Sequence, residues 1–175
     1  MVEAYTRTVS LFESLFVALN AAGIRYVVVG GLAVVMHGHP RLTADVDLIV
    51  DLSPHEARKA MELFQSLGLR PRVPVGVLDF AAPEERRRWI EEKGMRVFSL
   101  FDPNEPMREI DLFAEHPIGF EELWRDSIIM PLSQTTVRVA SIPHLIQLKR
   151  LAGRPQDHLD IEALQEILRE RERHG

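Results

Sequence analysis

Val28-Val29-Gly30-Gly31 and, thirteen residues further on, Asp45-Val46-Asp47-Leu48-Ile49-Val50 decide how this chain is read. The run Arg25–Val29 predicts a strand that stops at the glycine pair, and Leu32–His37 predicts a short helix closed by Gly38 and Pro40. Asp45–Val50 predicts a second strand, with two acids among four apolar residues. Residues two apart on a strand share a face, so Asp45 and Asp47 stand together while Val46, Leu48 and Val50 line the other side. Neighbouring carboxylates repel unless a cation lies between them. Oxygen-only ligands suit Mg2+, which binds through one or two carboxylates plus phosphate oxygens. Glycines between a strand and a helix let backbone N–H groups approach such phosphates.

A third acid fits the same scheme. In Glu109-Ile110-Asp111-Leu112-Phe113, Asp111 lies on the face opposite Ile110 and Leu112. Beside Asp45–Val50, that strand would complete a cluster of three carboxylates, able to hold two metals and to act as general base on an attacking hydroxyl. An isolated Asp-x-Asp is most often a solvated strand face, and an isolated Gly-Gly a turn. Their co-occurrence with the later acid carries the functional reading.

The rest of the chain predicts one mixed α/β unit. Leu11, Phe12, Leu15, Phe16 and Leu19 place a helix over Thr8–Ala22, with Gly23 after it. Ser53-Pro54-His55-Glu56 has the form of a capping box with proline at N1, opening a helix to about Leu67. A loop or edge strand follows around Pro71, Pro74 and Gly76, then a charged helix over Pro83–Lys93. Met95–Phe101 and Met107–Ala114 read as paired strands around the turn 102–106. Phe120–Trp124 reads as a short helix, Thr136–Ala140 as a strand, and Ile142–Leu151 and Pro155–Arg171 as two helices meeting at Gly153. The expected product is an α/β (α+β) fold: a mixed sheet flanked by helices over residues 1–140, with a small C-terminal helical lobe over 141–175 packed on it.

Composition removes several function classes. The chain has 175 residues, 46% of them hydrophobic, which is enough to bury a core without staples. It has no cysteine, so disulfides, thiolate zinc sites and cysteine nucleophiles are excluded. No apolar run approaches the roughly 18–20 residues of a membrane span. Glu3, Arg7 and Glu13 interrupt any export signal, so a cytoplasmic protein is expected. The net charge of −5 argues against a broad nucleic-acid-coating surface, although a local basic patch is compatible with it.

These residues resemble the nucleotidyltransferase superfamily with the DNA polymerase β-type fold, whose signature is strand, Gly-Gly or Gly-Ser, short helix, Asp-x-Asp and a later strand acid. They resemble more closely its AbiEii-type toxin branch and uncharacterised bacterial relatives. That resemblance runs through Gly30-Gly31, Arg41-Leu42-Thr43-Ala44-Asp45-Val46-Asp47, and 148–157, Leu-Lys-Arg-Leu-Ala-Gly-Arg-Pro-Gln-Asp. It implies that Asp45, Asp47 and Asp111 bind two Mg2+ ions, with Mn2+ as a substitute, and that Asp111 is the catalytic third acid. It implies an NTP whose phosphates meet Gly30 and Gly31. Arg41 and Thr43 either contact the triphosphate or shape the loop. The implied reaction moves an NMP group to a hydroxyl of RNA, protein or a small molecule, and a cognate antitoxin is an implied partner. The alternatives are a nucleotide-binding or scaffolding module without turnover, and a metal-dependent phosphodiesterase.

The C-terminal helices allow two readings. Lys149 lies on the apolar stripe of Ile142, Leu145 and Ile146, and Asp157 on that of Ile161, Leu164 and Leu168. A charge on such a stripe needs a partner. Either Lys149 and Arg154 pair with Asp157 as structure, or, as the resemblance implies, Lys149 and Arg154 face the nucleotide. His37 and His39 read as loop residues, Arg86-Arg87-Arg88 as a solvated helix face, and Trp89 and Trp124 as packing.

Overall fold

The computed structural model describes residues 2–105 and 108–174, and side chains from Phe12 onward. Pro106 and Met107, at the expected turn and strand start, and the Leu11 side chain lie outside the described residues. In chain order the elements are α1 (Val2–Ala21), β1 (Tyr26–Val29), α2 (Gly30–Met36), β2 (Asp45–Val50), α3 (Pro54–Ser66) and β3 (Arg70–Pro71). A short 3₁₀ helix (Val77–Ala81), α4 (Pro83–Lys93), β4 (Val97–Phe101), β5 (Glu109–Phe113) and α5 (Phe120–Asp126) follow. The chain ends with β6 (Ile128–Pro131), β7 (Thr136–Val139), α6 (Ile142–Ala152) and α7 (Pro155–His174).

The strands form one seven-stranded mixed sheet in the order β3-β4-β5-β2-β1-β7-β6. β2 runs parallel to β5 and antiparallel to β1, and β1 runs parallel to β7. Val46, Leu48 and Val50 are buried, as are Val27 to Val29 and Ile110 and Leu112, so the centre of the sheet is the middle of the core. Each such aliphatic side chain contributes roughly 1.5–3 kcal/mol by leaving water. On the β4 side the core is aromatic: Phe98 stacks on Phe80 at 5.0 Å and on Trp89 at 5.4 Å. On the β1–β7 side Trp124 lies beneath two guanidinium groups, Arg138 at 3.8 Å and Arg25 at 5.0 Å. α2 packs on β1 and β2, and α6 packs on both α2 and α7. Among the described residues no helix is long and apolar enough to cross a membrane.

Four local expectations need correction. α1 begins at Val2 and not at Thr8, because no glycine or proline breaks the intervening turn. α2 spans Gly30–Met36 and not Leu32–His37, so the glycine pair that opens the helix belongs to its first turn. The capping box at Ser53 does not form: the Ser53 backbone N–H donates to Asp51 Oδ1 at 2.9 Å, and Glu56 pairs with His55 and Lys59. β6 was not expected as a strand; Ile128 and Ile129 are both exposed on this edge, so it lacks the alternation that marks a half-buried strand.

Candidate active site

The parallel register of β2 and β5 sets Asp45 beside Glu109 and Asp47 beside Asp111. Adjacent strands lie about 4.8 Å apart, so the four acids occupy one small patch of one sheet face. The antiparallel pairing of β1 places Val29, the residue before the glycines, opposite Asp47. The chain then turns at Gly30 with φ +66°, in the left-handed region. A β-carbon at Gly30 would stand 1.9 Å from Asp47 Oδ2 and 2.5 Å from its Cγ. Asp47 therefore fills the space that any side chain at position 30 would need. At Gly31 a β-carbon would stand 2.9 Å from Thr43 Oγ1 and 3.2 Å from Arg41 Cζ, so the loop before β2 closes over the second glycine.

The electrostatics of the patch follow from this crowding. Burial first, and then the charges of Asp111 and Asp45, push the Asp47 carboxyl up to about 7, while Arg154 and Lys149 pull it back. Burial also raises Asp111; a hydrogen bond from Ser99 Oγ at 2.5 Å opposes this, and Glu109 and Asp45 add to it. Arg72 offsets part of the charge, donating to Glu109 Oε2 at 2.6 and 3.0 Å while stacked over Phe101 at 4.3 Å. Such a patch favours a bound cation, and its all-oxygen donors match Mg2+. In the present arrangement, among the described residues, no three His, Asp or Glu side chains already converge as a metal cage, and Asp111 is engaged by Ser99.

A second charged cluster adjoins the first. Lys149 Nζ donates to Asp160 Oδ2 at 2.6 Å and to Asp157 Oδ1 at 3.2 Å, and all three residues are buried. Arg154 donates to Asp157 through its backbone N–H at 3.0 Å and its Nε at 2.8 Å. Arg41 Nη1 reaches from the loop before β2 to Asp160 Oδ2 at 2.5 Å. Gly153, left-handed at φ +65° after α6, reverses the chain so that Lys149 and Asp157 meet. Three cations thus surround two carboxylates, and Lys149 and Arg154 are close enough for Asp47 to feel their charge.

No family model matches the chain, and no curated protein matches it in sequence. Solved structures do. The lincosamide antibiotic adenylyltransferase LnuA, lincomycin-bound, superposes with a TM-score of 0.60 at 15% identity, over 90% of this chain and 96% of that one. ANT(2'')-Ia in complex with adenylyl-2''-tobramycin gives a TM-score of 0.57 at 15% identity, over 91% and 88%. A nucleotidyltransferase-like protein from Paracoccidioides brasiliensis gives 0.55 at 16% identity, over 94% and 75%. The chain has the nucleotidyltransferase fold.

Within this nucleotidyltransferase fold the structure gathers Gly30, Gly31, Arg41, Thr43, Asp45, Asp47 and Asp111 around the junction of β1, α2 and β2. Thr43 turns inward, its Oγ1 donating to the Asp45 carbonyl at 3.3 Å. Lys149 is held between aspartates, whereas the Arg154 side chain is 73% exposed. Sequence reasoning missed Asp160, Ser99 and Glu109. Asp160 follows Asp157 at i+3 on the same helix face, and Glu109 precedes Asp111 at i−2 on the same strand face, signals that were available; Ser99 becomes a neighbour of the site only through strand register. Arg86 is not on a solvated face: it is buried, donating to the carbonyls of Phe80 and Leu52. His37 is also buried, at the end of α2, with Nε2 2.8 Å from the Ala140 carbonyl oxygen.

Proposed function

We propose that this chain is a Mg2+-dependent nucleotidyltransferase that moves an NMP group from an NTP to a hydroxyl acceptor and releases pyrophosphate. The observation that carries the reading is the in-register placement of Asp111 beside Asp47, with Asp47 pressed against Gly30, on a nucleotidyltransferase fold. Asp45, Asp47 and Asp111 would hold the metal, which when bound lowers the charge repulsion at the phosphates and polarises the attacking hydroxyl. Asp111, on the β4 side of the patch, would take the acceptor's proton as its oxygen forms a bond to the α-phosphorus. The bond from that phosphorus to pyrophosphate breaks in the same displacement. The backbone of Gly30 and Gly31 would receive the triphosphate, and Arg154, the exposed cation of the second cluster, would contact it. Buried Lys149 would act through its field, and Asp157 would hold both cations in place. Arg41 and Thr43 would fix the loop over Gly31. Residues 141–175 would form a small lobe closing the cleft against the core at 1–140.

The acceptor classes are RNA, a protein side chain and a small molecule. Two neighbours of similar fold are bound to lincomycin and to adenylyl-2''-tobramycin, which supports the small-molecule class. The resemblance to the AbiEii-type branch supports a toxin acting in the cytoplasm and held by a cognate antitoxin. Incubation with α-labelled NTPs, Mg2+, and either total RNA, protein extract or an aminoglycoside and lincosamide panel tests the reading. Label should pass to one acceptor class, and Asp47→Asn should abolish it. Tight Mg2+–NTP binding with no transfer to any acceptor would instead identify a binding module without turnover.

A further inference from the structure

A cleft of about 370 Å3 lies at the far end of the sheet from the carboxylates, lined by Leu52, Arg86, Ile90, Glu91, Ala114 and Glu115 among others. Leu52 follows β2, and Ala114 and Glu115 follow β5. The cleft therefore sits beyond the carboxyl ends of the same two strands that carry Asp45 at the start of β2 and Asp111 at the middle of β5. Its lining includes the buried guanidinium of Arg86. Arg86 is 6% exposed and lies over the Phe80 ring at 5.5 Å, yet among the described residues it makes no ion pair. Nη1 donates to the Phe80 carbonyl at 2.6 Å and Nη2 to that of Leu52 at 3.1 Å, which leaves three of its five N–H donors. A cation largely withdrawn from water without an anion is costly, and two neutral carbonyls and one ring face offset only part of that cost.

We propose that this cleft binds a small organic monoanion, a carboxylate carried on a compact apolar body. The carboxylate would lie on the remaining Arg86 donors, since a guanidinium matches that group geometrically. The apolar body would pack on Leu52, Ile90 and Ala114. Arg86 and Arg87 balance Glu91 and Glu115 in the lining, so one bound negative charge already leaves the cleft net negative, and dianions and polyanions, nucleotides among them, would be disfavoured there. This site is separate from the proposed nucleotide site and does not depend on its activity.

Amide NMR of isotope-labelled full-length protein tests the proposal, with sodium benzoate as the probe. Benzyl alcohol serves as the uncharged analogue and phenyl phosphate as the dianion. Benzoate should produce saturable shifts at Ile90, Ala114 and Glu115, binding about tenfold or more tightly than either analogue. Arg86→Gln should remove that preference. Because Arg86 also ties down two carbonyls, Ile90→Trp, which fills the cleft and leaves the guanidinium in place, provides a second variant and should abolish the shifts. Absent benzoate shifts at these amides, equal binding of benzyl alcohol, or unchanged binding in Ile90→Trp would each overturn the proposal. Asp47→Asn should bind benzoate as the natural chain does, so loss of nucleotide transfer and loss of this site are distinguishable.

Discussion

At position 30 a single hydrogen atom in place of a side chain permits the whole carboxylate arrangement. Gly30 combines a left-handed backbone with direct contact to Asp47, and the two constraints can be separated experimentally. Gly94 has a similar φ of +62° but nothing within 4 Å of its missing β-carbon, so Gly94→Ala tests backbone strain alone. Gly94→Ala should cost about 1–2 kcal/mol in urea unfolding with nucleotide transfer intact. Gly30→Ala should lose more stability and, by displacing Asp47, lose transfer as well. If both variants keep full transfer, Asp47 is not the residue on which chemistry depends. Asp111→Asn removes a different thing, the proton acceptor, and should lower turnover by about 10²–10⁴-fold with the KM for NTP little changed. Single-turnover rates separate these effects. The two acids of β2 could be paired on paper, and the face of Asp111 on β5 read, because strand alternation is local. The Ser99 hydroxyl that engages Asp111 could not, because nothing in the sequence specifies the β4–β5 register.

At the scale of elements, the loop before β2 and the helices α6 and α7 are joined by the half-buried Arg41 and the buried Lys149, Asp157 and Asp160. Removing one member leaves the others buried and unpaired, so Lys149→Met should cost about 3–5 kcal/mol in urea unfolding. A loss below about 1 kcal/mol would show that the cluster is hydrated and not a structural tie. The order of elements was legible because most helices carry a stop signal, such as Gly94 and Gly153 in left-handed conformations at the ends of α4 and α6. β6 was illegible because an exposed edge strand of four residues lacks the apolar alternation that marks a half-buried strand. Arg86 was misread because α4 is charged around most of its circumference; Trp89, three residues on and buried, was the available marker of the inward face.

For the molecule as a whole, acid is the expected weakness. Burial alone would raise Asp157 and Asp160. Hydrogen bonds from Arg154 and Lys149 to the first, and from Lys149 and Gln156 to the second, outweigh it and hold both carboxyls below their usual range. A carboxylate with a lowered folded-state pKa contributes stability above its unfolded value, near 3.9, and loses it as the pH falls through the folded value. Urea midpoints should therefore decline as pH is lowered below about 4. Asp160→Asn, already weaker at neutral pH, should decline less steeply over that range, and an equal slope would mean that other acids control acid unfolding. The two tryptophans make such experiments more informative than a single signal. Trp89 is buried against Phe98 of β4, and Trp124 is stacked under guanidinium groups beside β1 and β7, so each emits from a different side of the sheet's central strands. Fluorescence from Trp89→Phe and Trp124→Phe variants would thus follow the two flanks of the sheet separately, without any introduced dye.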